Sequence, residues 1–88
     1  MTEFEALGRY THYREMAEAH ATGMATALDG LRDLVEQSKR CIDRFNTERA
    51  LALLLVVERS CGHLKESIAK ANSAAPICGR PLIGRSIA

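Results

Sequence analysis

The sequence predicts an all-α protein: an antiparallel helical hairpin with an irregular C-terminal tail, which dimerises into a four-helix bundle. Three observations favour this fold. Over two long stretches, apolar residues recur at alternating steps of three and four, the spacing of coiled coils. Both prolines lie after residue 75. Of the 88 residues 47% are hydrophobic, but 13 of these are alanine, so one chain has few large side chains for a core.

The first stretch predicts one long helix from about residue 3 to residue 45. Thr2 and Glu5 match a T-x-x-E capping box, in which each side chain satisfies a backbone donor of the first turn. The main row of apolar or small residues is Ala6, Tyr10, Tyr13, Ala17, His20, Met24, Ala27, Leu31, Leu34, Ser38, Cys41 and Phe45. A flanking row that widens it is Ala21, Leu28, Val35 and Ile42.

The alternative is a first helix that is kinked or broken near Gly23, because a glycine inside a helix costs about 1 kcal/mol relative to alanine. Thr26 and Asp29 could then cap a new helix. Gly23 and Gly30 share one heptad position among small residues. Two interpretations of these glycines remain open: a close approach of two helices, or tolerance of a kink.

A second helix follows a polar turn. Asn46 or Thr47 is the expected N-cap and Asn72 the expected C-cap, with Pro76 marking the stop. Residues 50–57 are apolar around the whole circumference, which predicts burial on several sides. The apolar row of this helix is Ala50, Leu54, Val57, Cys61, Leu64, Ile68 and Ala71.

The predicted hairpin domain spans residues 1–72. Residues 73–88 form a basic and apolar tail with both prolines, which packs on the domain or on a partner. A hairpin folded at residue 46 places His20 near Ala71, so at 1.5 Å per residue about 25 Å of the first helix extends beyond the second. The tail or a second chain would cover that stretch.

Both the uncovered stretch and the all-round apolar segment favour a homodimer, because a dimer of hairpins supplies the missing helices. The alternative is a monomeric three-helix bundle, broken near Gly23, with the tail as a lid. The residues expected to mediate self-association are Leu51, Leu54, Leu55, Val57 and Leu64.

The chemistry of the sequence predicts a protein that is not an enzyme and that uses no metal and no cofactor. Cys61 and His63 would point about 200° apart on a helix, and no pair of cysteines or histidines has the spacing of a zinc site. A nucleophile elbow, a pair of carboxylates on a buried face and a glycine-rich phosphate loop are all lacking.

Charge, hydropathy and the cysteine count indicate which classes of partner and which cellular compartment to expect. The net charge is +1, so there is no overall basic excess to bind nucleic acid through its phosphates. The longest apolar run has eight residues, against about 20 for a membrane span, and the acidic N-terminus does not resemble a signal peptide. Three cysteines are typical of free thiols in a reducing compartment. We therefore expect a cytoplasmic protein that does not bind membranes.

The expected function is a non-enzymatic protein-interaction module: a small adaptor, regulator or inhibitor of a larger partner. Tyrosine and arginine are favoured at protein interfaces. The residues expected to bind the partner are Tyr10, Tyr13, Met16, Arg80, Leu82 and Arg85. The alternative is a nucleic-acid-associated small regulator that uses the basic residues Arg32, Lys39, Arg40, Arg44, Arg80 and Arg85.

Overall fold

A computed structural model describes residues 1–84 as two long antiparallel helices. Helix α1 spans Glu3–Arg40, helix α2 spans Thr47–Ala74, and a 3-10 turn at Ile42–Arg44 joins them. No strand occurs among the described residues, and the prediction of an all-α helical hairpin is confirmed. The molecule measures 59 × 27 × 13 Å along its principal axes.

Helix α1 is continuous through Gly23, so the alternative of a helix broken there is wrong. It begins as predicted, because the Thr2 hydroxyl accepts a hydrogen bond from the Glu5 amide at 3.1 Å. It ends at Arg40, five residues before the predicted end. Cys41 adopts an extended conformation (φ −154°, ψ 100°), and the last turn of α1 carries two cations that favour a helix C-terminus there.

Helix α2 begins at one of the two predicted caps: Asn46 Oδ1 accepts a hydrogen bond from the Arg49 amide at 3.0 Å. Its C-terminal end differs from the prediction. The helix continues past Asn72 to Ala74. Asn72 is not the C-cap, because its side-chain amide is bonded to the backbone of Ile83 in the tail.

The register of the two helices differs from the prediction by about one heptad. The His20 ring stacks on the His63 ring, with 5.2 Å between centroids, instead of lying near Ala71. Because the chain reverses near Cys41 rather than at residue 46, each residue of α1 faces an earlier part of α2. Helix α2 therefore extends back beside the start of α1, and the expectation of a long uncovered stretch of the first helix is wrong.

The core between the helices is built mainly from alanine. Among the described residues, the buried hydrophobic positions are Tyr10 and seven alanines: Ala6, Ala17, Ala27, Ala50, Ala71, Ala74 and Ala75. Small side chains let the two helix backbones come close together. At Gly30 the helices are in contact, because a Cβ there would lie 3.4 Å from a methyl group of Leu53, at the short end of van der Waals distances. This contact favours the close-approach interpretation of Gly30.

The predicted row of α1 is confirmed, since every one of its positions is buried or half-buried. The predicted row of α2 is partly wrong, because Leu54 and Cys61 are exposed. Leu53 and Ser60 face α1 in their place, where Gly30 and Gly23 leave room for them. The inner row of α2 is Ala50, Leu53, Val57, Ser60, Leu64, Ser67, Ala71 and Ala74, all buried or half-buried.

Candidate functional site

Two polar side chains hold the backbone of the tail against the open end of the hairpin. Asn72 Nδ2 donates to the Ile83 carbonyl at 2.9 Å, and the Ile83 amide donates to Asn72 Oδ1 at 2.7 Å. The Tyr10 hydroxyl donates to the Pro81 carbonyl at 3.1 Å. Tyr10 belongs to α1 and Asn72 to α2, so residues 81–84 are tied to both helices.

Tyr10 is the one large residue of the cluster that forms the core at this end. It is 4% exposed, and Ile83 and Cys78 from the tail pack against its cluster. Its hydroxyl also accepts a hydrogen bond from Arg14 Nη1 at 3.1 Å, which is the main reason that the pKa of the Arg14 guanidinium is raised above its ordinary value. Tyr10, expected at a partner surface, thus contacts the tail of its own chain.

The other residues expected to bind a partner do not form one continuous surface. Leu82 and Arg80 are exposed on the tail, and Tyr13 is half-buried beneath Lys70, whose Nζ lies 5.3 Å from the ring centre. Met16 is exposed, but it follows Arg14 by two residues and therefore points about 200° away from the side that the tail covers. The last of the predicted residues, Arg85, lies outside the described residues.

A second row runs along the outside of α2, and the row predicted for this helix mixes its residues with those of the inner row. Each member follows an inner-row residue by one position, so two neighbouring sides of α2 are apolar within residues 50–57. With the neighbouring residues Leu55, Gly62 and Ala69 it forms what we call the outer face. The row is Leu51, Leu54, Glu58, Cys61, Lys65, Ile68 and Asn72.

The N-terminal half of the outer face is apolar and open to solvent. Leu51 is 63% exposed, Leu54 is 47% exposed and Leu55 is 45% exposed. These three are among the residues predicted to mediate self-association. The other two, Val57 and Leu64, are half-buried in the inner row that faces α1.

The C-terminal half of the outer face borders a groove of about 790 Å³ between α2 and the tail. Lys65 is its one charged lining residue among those described, and the lining is otherwise largely apolar. The tail closes one end, where a Cβ at Gly84 would lie 3.9 Å from the Ile68 side chain. The apolar lining includes Cys61, Leu64, Ile68, Ala69, Leu82 and Ile83.

Helix α1 adds apolar surface on the side where the tail packs. Leu28, Val35 and Ile42 of the predicted flanking row are all exposed. Arg14 occupies the same heptad position and lines a pocket with the tail residues Pro81–Ile83. The flanking row and the tail therefore share one side of the hairpin.

The histidines and cysteines do not converge. No group of three or more histidine, cysteine, aspartate or glutamate side chains within residues 1–84 could hold one metal ion. Cys61 is exposed on the outer face, whereas Cys41 and Cys78 are half-buried, and all three are free thiols. His20 and His63 stack as a pair between the helices, with 24° between their ring planes.

The basic residues named for nucleic-acid binding lie in two separate places. Arg80 is at the end of the hairpin where Tyr10 bonds Pro81, and Arg85 is outside the described residues. Arg32 is 22 residues further along α1 than Tyr10, or about 33 Å. The remaining three, near the turn, are Lys39, Arg40 and Arg44. Lys39 is paired with the Glu36 carboxylate at 3.2 Å.

No protein-family model, curated protein or solved structure matches this chain. None of the helices in the described part of the chain is long and apolar enough to cross a membrane. The candidate site is therefore the outer face of α2 with its groove, and the exposed row of α1 beside it.

Proposed function

We propose that this chain is a non-enzymatic protein-interaction module, a small adaptor, regulator or inhibitor, whose hairpin forms a homodimer. The observation that supports the proposal most strongly is the distribution of aliphatic side chains. The buried positions between the helices are mainly alanine, while Leu51, Leu54 and Leu55 are exposed on the outer face of α2 and Leu28 and Val35 on α1. Apolar surface that is gathered in this way marks interaction sites.

The energy available from covering these side chains is large for a protein of this size. Burying one leucine contributes about 1.5–3 kcal/mol, whereas a whole small domain is stable by only about 5–15 kcal/mol. The two helices form a single layer 13 Å thick, so the side of the hairpin that carries these side chains has no further helix against it in one copy of residues 1–84. A second hairpin laid on that side gives the four-helix bundle expected from the sequence, in which both copies use the same surface.

Light scattering across a wide concentration range tests self-association. The chain has a mass of 9.7 kDa, and the proposal expects a species of twice that mass which dissociates on dilution. A mass of one chain at every concentration would contradict the homodimer.

The adaptor role needs a second measurement. The full-length chain, tagged and purified from its own host, is expected to retain a larger protein that can be identified and produced separately. Direct binding of that purified protein, measured by calorimetry and lost when Val35 is changed to glutamate, would support the role. If the purified larger protein does not bind the unaltered chain, the adaptor role is contradicted.

A further inference from the structure

The outer face of α2 carries a projection and a recess on either side of two small residues. Leu51 and Leu54 project before Cys61, and the groove beside Ile68 lies after it. Leu54 precedes Cys61 by seven positions and Ile68 follows it by seven, so each is about 10 Å from the centre along the helix axis. This arrangement is self-complementary: a second α2 running in the opposite direction brings the projection of each copy to the recess of the other.

The charges on this face follow the same symmetry. Glu58 lies three positions before Cys61 and Lys65 four positions after it. Neither residue takes part in a salt bridge among residues 1–84. An antiparallel pairing places Glu58 of one copy beside Lys65 of the other, twice, whereas a parallel pairing places like charges together. The charges therefore favour the antiparallel pairing.

The centre of the face allows close approach. Among residues 1–84, nothing lies within 4 Å of a Cβ placed at Gly62, and Cys61 beside it is small and exposed. Small residues where two helices cross let the backbones come together, so that the leucines on either side reach the facing copy. Cys61 and Gly62 therefore leave room for a facing helix at the centre of the outer face.

We propose that a second copy of this chain docks on the outer face, with the two α2 helices antiparallel about a two-fold axis beside Cys61 and Gly62. Leu51 and Leu54 of each copy enter the groove between α2 and the tail of the other. This inference rests on the proposed function and deepens it, since it assigns the surface through which the homodimer forms. The contact is isologous and closes at two copies.

Oxidative cross-linking at Cys61 tests the position of the axis. In a chain with Cys41→Ser and Cys78→Ser, Cys61 is the one remaining cysteine of each copy. In the proposed dimer the two Cys61 thiols lie across the axis from each other. Copper phenanthroline with dissolved oxygen removes two electrons from the thiol pair and two protons pass to solvent, leaving one disulfide. We expect a covalent dimer to form at least about tenfold faster than in a control with Cys61→Ser and Arg59→Cys added, because Arg59 points to another side of α2.

Charge reversal tests the pairing independently of oxidation. Glu58→Lys or Lys65→Glu alone replaces two attractive contacts per dimer with two repulsive ones, which should weaken dimerisation about tenfold, or ~1.4 kcal/mol. The chain with both substitutions should recover the affinity of the unaltered chain. An equal mixture of the two single variants should form mixed dimers, because each pair then joins opposite charges.

The outcomes separate this proposal from the proposed function. If the chain dimerises, but Cys61 cross-links no faster than the control and the single charge variants dimerise as tightly as the unaltered chain, the proposed docking surface is wrong. The homodimer itself is then not contradicted. A chain that is monomeric at every concentration overturns both. A further variant lacks residues 85–88. If it dimerises more tightly than the unaltered chain, those residues occupy the groove and the proposal is overturned; if its dimerisation is unchanged, the proposal is supported. Circular dichroism of each variant shows whether the helices are retained.

Discussion

The side chain of Asn72 on α2 is hydrogen-bonded to both the amide and the carbonyl of Ile83 in the tail. An asparagine amide offers one donor and one acceptor side by side, so a single residue satisfies both backbone groups of another. Ile83 is half-buried against the alanine cluster, where an unpaired backbone group would be costly. The pair therefore fixes the tail at this point.

Asn72→Ala should loosen the tail and destabilise the chain by about 1–3 kcal/mol, because it leaves two part-buried backbone groups of Ile83 unpaired. Urea unfolding at a fixed protein concentration measures the loss, and binding of a hydrophobic dye should increase. Ser73→Ala is the matched control, since within residues 1–84 the Ser73 hydroxyl donates to the Lys70 carbonyl of its own helix and bonds no tail residue. Equal stability of the two variants would mean that the tail does not depend on Asn72.

Tyr10→Phe should cost about 0.5–1.5 kcal/mol, because the ring remains in the core while the bonds to Pro81 and Arg14 are lost. Tyr13→Phe is the comparison, since the Tyr13 hydroxyl forms none of the side-chain hydrogen bonds found within residues 1–84. Thermal unfolding of the two variants should therefore differ. A loss as large at Tyr13 as at Tyr10 would argue against the tail bond as the cause.

The glycines of the helices should respond differently to alanine. Gly8→Ala should stabilise the chain by about 0.5–1 kcal/mol through helix propensity, because none of the described residues lies within 4 Å of the added Cβ. Gly30→Ala should gain less, since the added Cβ would lie 3.4 Å from the Leu53 side chain, at the short end of van der Waals contact. Urea unfolding compares them, and a larger gain at Gly30 would show that the helices do not approach closely there.

Leu54→Glu should reduce dimerisation at least about tenfold while leaving the helix content unchanged, because it puts a charge into an apolar contact without touching the inner row. The control is Val56→Glu, of similar exposure but on another side of α2. Light scattering on both variants measures the difference. If Val56→Glu were the more damaging, the interface would lie on the other side of the hairpin.

Binding to duplex DNA should be absent or weak, without a steep dependence on salt. Arg32 and Arg80 are separated along the hairpin, and Lys39 is already paired with Glu36. A fluorescence titration at low and at physiological salt checks this. Tight binding that falls strongly as salt rises would instead favour the nucleic-acid-associated regulator.

Hydrophobic periodicity predicted the helices well and their pairing poorly. Every position of the predicted α1 row is buried or half-buried, because a heptad pattern reports which side of a helix faces its neighbour. The same pattern repeats every seven residues, so sliding one helix by a heptad keeps apolar residues opposed. The pairing of His20 with His63 followed from the end of α1 at Arg40, for which the sequence offered no clear stop signal.

Residues 50–57 show a second limit. Two apolar rows lie one residue apart on α2, so each position can be assigned to more than one row with steps of three and four. The sequence alone therefore did not assign Leu53 to the inside and Leu54 to the outside. The bond from Asn72 to Ile83 was also beyond sequence patterns, because an asparagine near a helix end is equally typical of a cap. Both details depend on contacts between segments that are distant along the chain.

The tail also has a consequence for how the two helices choose their alignment. Alanine-lined helices with a seven-residue repeat would fit almost as well after a slide of one heptad, or about 10 Å. Tyr10 on α1 and Asn72 on α2 hold neighbouring residues of one short segment, Pro81 and Ile83, and such a slide would pull these anchors apart. The short segment from Pro81 to Ile83 thus selects one alignment of the two helices among several of nearly equal packing.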